Sequence, residues 1–344
     1  MPGYLGSSFI VDSPVDNVQL KNDVYSAIRS EAPAASYDNM TGVNVLQNGE
    51  DEHIRDWKSF ISQNPQAFIQ QIPYYSFKVL FVALIFVFSN LGIIAPLSVF
   101  LPNLISFFIF GFLLFSIFNK IIPEKTILSF LFTVGLLLIP QFRFLATIPS
   151  PDMLTILLML WFFYVILDKQ NFLIQCMVLL LLVFTRPDMV IFTLSYFGTV
   201  FLYDFITKKK IHWLSFVSGV TILLMYILIL KINKYPGWND VFYDTFIYRR
   251  RYLSDPAEFS FSQYRAILID GLSSFKKISV AAFLCIASIF YFTKDLWTKL
   301  LAMFLFANLY LKFFSFLLQV NIVFFRDFYF FFSSYWLTFS LRKS

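Results

Sequence analysis

The sequence predicts an all-α, polytopic integral membrane protein of about nine transmembrane helices plus one interfacial helix. Three observations predict it. Of 344 residues, 58% are hydrophobic and only 14% charged, where a soluble domain carries about a quarter charged residues. Mean hydropathy is +0.69. From Phe77 onward, apolar runs follow one another with short polar breaks between them, each close to the roughly 20 residues a spanning helix needs.

Residues 1–75 are polar and mixed in charge, and read as an extramembrane N-terminal segment with an acidic cluster at 50–52. Nothing near Met1 joins a basic start to an apolar core, so no signal peptide is expected there. Residues 76–344 form the transmembrane domain. Its apolar segments are Phe77–Ile94, Leu97–Phe118, Ile127–Leu145, Met153–Leu167, Phe172–Phe184, Met189–Ile206, Trp213–Leu230, Ser279–Phe292, Leu300–Leu318 and Ile322–Leu341. One sizeable outer loop, 231–278, interrupts them.

Loop charges set the orientation. Lys120 with Lys125, Lys169, Lys208-Lys209-Lys210, Lys294 with Lys299, and Arg342-Lys343 fall in every second loop. Basic short loops stay cytoplasmic. The alternate loops, holding Ser150-Pro151-Asp152, Arg186-Pro187-Asp188 and 231–278, then face outward together. If Phe77–Ile94 crosses the bilayer, the N-terminal segment is cytoplasmic. If it lies in the interface, that segment shares the outer face with both Asp motifs. The expected location is the cell (plasma or inner) membrane.

Composition also excludes several classes. Two cysteines inside apolar runs give no disulfide framework. Two histidines leave little room for a histidine-built metal site. With no basic stripe outside the loops, no nucleic-acid partner is expected.

Chemistry is expected where ionisable groups meet lipid-length helices, because such groups are costly in hydrocarbon and gather at surfaces or polar cavities. Gly49-Glu50-Asp51-Glu52-His53 offers adjacent carboxylates. They suit a general base or a hard cation such as Mg²⁺ or Mn²⁺, and equally suit a solvated acidic turn. Asp152 opens a helix, where a carboxylate caps free N–H groups or stands at the mouth of a cavity. Arg186 either pairs locally with Asp188 or holds a phosphate through forked hydrogen bonds. Further outward cations are Arg249, Arg250, Arg251 and Arg326, the last beside Asp327.

In their order along the chain, these features resemble the GT-C glycosyltransferases. The resemblance rests on Gly49–His53, Ile72-Pro73-Tyr74-Tyr75-Ser76-Phe77-Lys78-Val79-Leu80, the helix Leu97–Lys120, Pro140, Ile148–Leu154 and Thr185-Arg186-Pro187-Asp188. It implies a sugar transferred from a polyprenyl-phosphate donor to an acceptor hydroxyl on the outer face, the acceptor being a polysaccharide, lipid or protein. It implies Asp51 or Glu52 as catalytic base, with Asp152 positioning the acceptor. Asp51 and Asp152 are the candidates for holding a divalent cation, and Arg186, Arg249, Arg250, Arg251 and Arg326 for binding phosphate. It also implies an outward N-terminal segment and an interfacial Phe77–Ile94. The family's first spanning helix has no counterpart between Met1 and Glu50, so the expected chain lacks it. Two other readings use the same residues. A transporter or flippase of a lipid-linked saccharide would spread polar groups through mid-membrane, whereas here they gather at helix ends. In a non-catalytic membrane protein the acids would serve only as caps.

Overall fold

The computed structural model describes residues 1–12, 16–43, 52–168, 171–258, 260–274 and 276–314. Within them the chain is helical throughout, with no strand. It divides into two compact units, 1–187 with 227–258, and 188–226 with 259–344. Residues 1–75 fall within the first unit, because the N-terminal helices pack their apolar faces against helices that follow Tyr75.

In the first unit, α1 (Pro2–Asp12) turns Tyr4, Leu5 and Ser8 inward against α2 (Asn17–Glu31), α6 (Pro73–Ser76) and α7 (Val79–Asn90). Gly3 permits the approach, since a Cβ there would stand 2.3 Å from the Tyr75 ring. On α2, Leu20, Val24 and Ile28 recur every four residues and are buried. They face α5 (Pro65–Gln71), which starts at Pro65 with Asn64 accepting from the Ala67 N–H at 3.1 Å. Between them, α3 (Ala34–Thr41) packs on α4 (Glu52–Gln63).

The end of α3 needs glycine. Gly42 has φ +68°, and a Cβ there would lie 2.4 Å from the Arg55 carbonyl oxygen. Left-handed backbone costs an L residue about 1–2 kcal/mol before any clash. Gly42→Ala should therefore lower stability by about 2 kcal/mol, read as a fall in thermal midpoint. An unchanged midpoint would show that α3 and α4 separate freely.

The membrane-type helices follow. Those long and apolar enough to cross a bilayer are α8 (Ala95–Ile121), the stretch Pro187–Lys208 containing α13 (Val190–Lys208), and α14 (Trp213–Ile232). Large apolar side chains stay exposed along α8 (Leu104, Phe108, Phe112) and α14 (Trp213, Phe216, Leu224), as a lipid-facing surface requires. The candidate spans among the described residues number three, or up to five if each of two bent pairs is one span: Pro65–Ser76 with Val79–Asn90, bent 111°, and α9 (Thr126–Leu137) with α10 (Pro140–Thr147), bent 62°. The second pair covers the expected segment Ile127–Leu145 and adds a bend at Pro140. Pro140 cannot donate to the preceding turn, and Ile139 before it is extended at φ −59°, ψ 127°. Four shorter apolar stretches remain: α11 (Asp152–Leu167), α12 (Phe172–Thr185), and Ser279–Phe292 and Leu296–Leu311. The expected last segment, Ile322–Leu341, lies outside the described residues.

Parallel helices α8 and α11 form the centre of the first unit. The Asn103 Nδ2 lies 2.6 Å from the carbonyls of both Ile148 and Ser150, tying the N-terminal part of α8 to the start of α11. Lys120 pairs with Asp168 at 2.5 Å, tying their ends. Both helices rise about 25 Å between these ties, at about 1.5 Å per residue. α11 is apolar on every side and buried without interruption from Met153 to Leu160, the mark of a central helix. α12 runs back beside it and delivers Arg186 to the start of α11.

In the second unit, α13 packs on α17 (Leu296–Phe314), which also meets α16 (Lys276–Phe292) after α15 (Phe261–Ser274). Asn308, 3% exposed, donates to Ser195 Oγ at 2.8 Å beside the Phe192–Phe304 ring contact. Farther along α13, Asp204 pairs with Lys208 at 2.7 Å.

Candidate active site

The Ser150-Pro151-Asp152 turn is short of donors, because Pro149 and Pro151 have no N–H. It closes with a Ser150 N–H bond to the Ile148 carbonyl at 2.9 Å. Thr155 then returns both its backbone N–H (3.0 Å) and its hydroxyl (2.8 Å) to the Pro151 carbonyl, starting α11. Asp152 sits in the first turn of that helix. Arg186 is the extended residue ending α12. A carboxylate at a helix N-terminus and a guanidinium at a C-terminus are each favoured by the backbone dipoles.

The two polar interruptions meet here. Arg186 Nη1 donates to Asp152 Oδ1, and Ser150 Oγ donates to Asp152 Oδ2 at 2.7 Å. The side chains of Arg186 and Asp152 are 6% and 14% exposed. The ion pair joins the two motifs directly, where loop charges alone predict only a shared face.

Tyr4 and Lys78 belong to the same surroundings. Lys78 Nζ donates to the Tyr4 hydroxyl at 2.7 Å. Burial pushes the Tyr4 phenol well above its ordinary pKa; the Asp152 charge and the Tyr75 ring add to the rise, and Arg186 opposes it. Tyr4 therefore stays protonated within electrostatic reach of the Asp152–Arg186 pair. Nothing in the sequence marks Tyr4, and Lys78 enters there only as part of the Ile72–Leu80 stretch.

The other expected residues lie apart from this pair or outside the description. Asp51 and Arg326 are outside the described residues. Glu52 is on the surface of α4, 76% exposed, and pairs with Arg55 at 3.2 Å. Among the described residues no group of three or more His, Cys, Asp or Glu gathers for a metal. Both Asp152 oxygens are engaged by protein donors, so its surroundings fit a cation poorly.

Arg249, Arg250 and Arg251 form a strap over α4. Arg250, 3% exposed, gives its Nε to Asp244 Oδ1 at 2.7 Å. Its Nη2 reaches Asp240 Oδ1 at 2.8 Å and Asp244 Oδ2 at 2.9 Å, and its Nη1 donates to the Asp255 carbonyl. Tyr74 donates to Asp244 as well. Burial works against the Arg250 charge, yet these bonds hold its pKa above the ordinary value. All of its N–H-bearing nitrogens thus serve the loop, which leaves none for the phosphate expected of it. Arg249 stacks on Trp57 with the guanidinium carbon 4.1 Å from the ring centre, and Arg251 lies over Phe60 at 4.9 Å.

One face of α4 and its C-terminal cap organises this strap. His53, Trp57, Phe60 and Asn64 recur at spacings of four, three and four, the period that lines up a helix face. His53 stacks on Tyr248 at 3.9 Å. The Trp57 Nε1 donates to the Arg250 carbonyl at 2.9 Å. Asn64 donates to the Tyr252 hydroxyl at 2.9 Å. That stripe was readable in the sequence, although its partner segment some 190 residues on was not.

Comparison with known proteins finds no protein family, no curated protein and no solved structure that matches this chain.

Proposed function

We propose that the protein is an integral membrane glycosyltransferase of GT-C type, which passes a sugar from a polyprenyl-phosphate donor to an acceptor hydroxyl at the outer membrane face. In this reading the four shorter apolar helices also cross, with the segment 322–341, giving about nine spans and an interfacial helix near Phe77–Ile94. One observation carries the reading: a buried Asp152–Arg186 pair, built where α11 begins and α12 ends, at the end of α8 and α11 opposite the Lys120–Asp168 pair. A phosphate headgroup at that depth needs a guanidinium already held in place.

The donor phosphate competes with Asp152 for Arg186 and frees the carboxylate. The acceptor oxygen then attacks the anomeric carbon, its proton passing to Asp152. The bond from that carbon to the phosphate oxygen breaks, and the polyprenyl phosphate leaves with the bonding electrons. Arg186 offsets the charge it gains. Asp152 takes the base role because Glu52 is solvated and paired with Arg55. No divalent cation enters these steps.

The test is transfer of radiolabelled sugar from a synthetic polyprenyl-phosphate donor by purified protein in lipid nanodiscs. Transfer to a hydroxyl acceptor is the expected result. Donor binding or movement between leaflets without any transfer would contradict it and leave the flippase reading.

A further inference from the structure

Asn103 is a fully buried amide on α8. Its Nδ2 supplies two hydrogen bonds of 2.6 Å, to the Ile148 and Ser150 carbonyls on either side of Pro149. The turn itself gives the Ile148 carbonyl one donor, the Ser150 N–H, so Asn103 adds a second there and is the donor that reaches the Ser150 carbonyl. Pro149 and Pro151 offer no N–H, and the Ser150 N–H is already spent on Ile148. Away from water an unpaired carbonyl is costly. Ser150 in turn donates to Asp152, whose other oxygen takes Arg186. A chain of contacts thus runs from α8 through the turn to the ion pair. The preceding Pro102 has no N–H to give the Ser98 carbonyl, while its own carbonyl accepts from the Ser106 hydroxyl at 2.6 Å.

We propose that Asn103 is a positioning residue: its amide fixes the 148–152 turn so that Asp152 is presented to Arg186 in one orientation. A part in sugar transfer rests on the function proposed above, but the hold on the ion pair does not.

The probe is phenylglyoxal modification of Arg186, mapped by mass spectrometry, with exposed Arg143 as the internal reference. In the wild type, Arg186 should react far more slowly than Arg143. Asn103→Leu keeps the bulk and removes both donors, so the relative Arg186 rate should rise about tenfold or more. Asn103→Gln, which keeps the amide, should recover much of the protection. An Arg186 rate unchanged in Asn103→Leu overturns the proposal. Should that variant fail to fold, Asn103→Ser decides: a hydroxyl can satisfy one carbonyl at a time, and wild-type protection there overturns the proposal equally. Where the wild type transfers sugar, Asn103→Leu should lower kcat about tenfold with little change in KM. Lost folding would only reduce the amount of active protein. If the wild type transfers nothing while Arg186 protection still depends on Asn103, the enzymatic reading fails and the positioning role stands. If transfer occurs and Asn103→Leu changes neither kcat nor Arg186 reactivity, the positioning role fails and the enzymatic reading stands.

Discussion

Arg186→Gln is expected to lower stability by about 3–5 kcal/mol, the usual cost of removing one partner of a buried ion pair. The Asp152 side chain is only 14% exposed, so its carboxylate would be left with the Ser150 hydroxyl alone from this trio. Leaving a charge buried without its counter-charge costs more than the pair itself contributes. The double variant Arg186→Gln with Asp152→Asn should consequently be more stable than Arg186→Gln, because amide against amide restores a neutral hydrogen bond. Thermal unfolding followed with a thiol-reactive dye on Cys176 and Cys285, both part-buried, would read this order. A double variant that is less stable than either single variant would mean the two side chains do not act on each other.

Arg250→Ala should have an effect of similar size, about 3–5 kcal/mol, and a more local signature. Its guanidinium carries Asp240, Asp244 and the Asp255 carbonyl together, and Asp244 is 8% exposed. Removing it frees the segment 248–255 from the face of α4. Limited trypsin digestion should then cut after Arg249 or Arg251 about tenfold faster or more, as local opening exposes the strap. Arg250→Lys should recover little of the resistance, since an ammonium lacks the planar fork that reaches both carboxylates and a carbonyl. Wild-type resistance in Arg250→Ala would show that the aromatic contacts of His53, Trp57 and Phe60 hold the strap by themselves.

The sequence made the membrane-type helices readable because their ends carry strong signals. Pro151-Asp152 starts α11, Asn171 caps α12 by accepting from the Leu173 N–H at 3.1 Å, and Lys208 to Lys210 close α13. Each of these is a local effect of dipole, cap or proline. The meeting of Asp152 with Arg186 was half readable, since counting helices placed both on one face but could not bring them into contact. Other features were hidden for physical reasons. Asn103 looks like a tolerated polar residue until the donor-poor turn opposite it is seen. Tyr4 lies in a stretch whose composition reads as polar, and only the bare backbone of Gly3 lets α1 settle on Tyr75. Arg250 reads as an outward cation, because the acids that bind it belong to a turn whose shape the sequence does not give. The apolar run continues past Pro140 and conceals the bend of 62° there.

The most direct test of the central claim is the rate of sugar transfer from a polyprenyl-phosphate donor by wild type and Asp152→Asn, in the same lipid and normalised to folded protein. If Asp152 takes the acceptor proton, the asparagine variant should be slower by about 10²–10⁴-fold while still binding donor through Arg186. Transfer by Asp152→Asn at the wild-type rate would contradict the account.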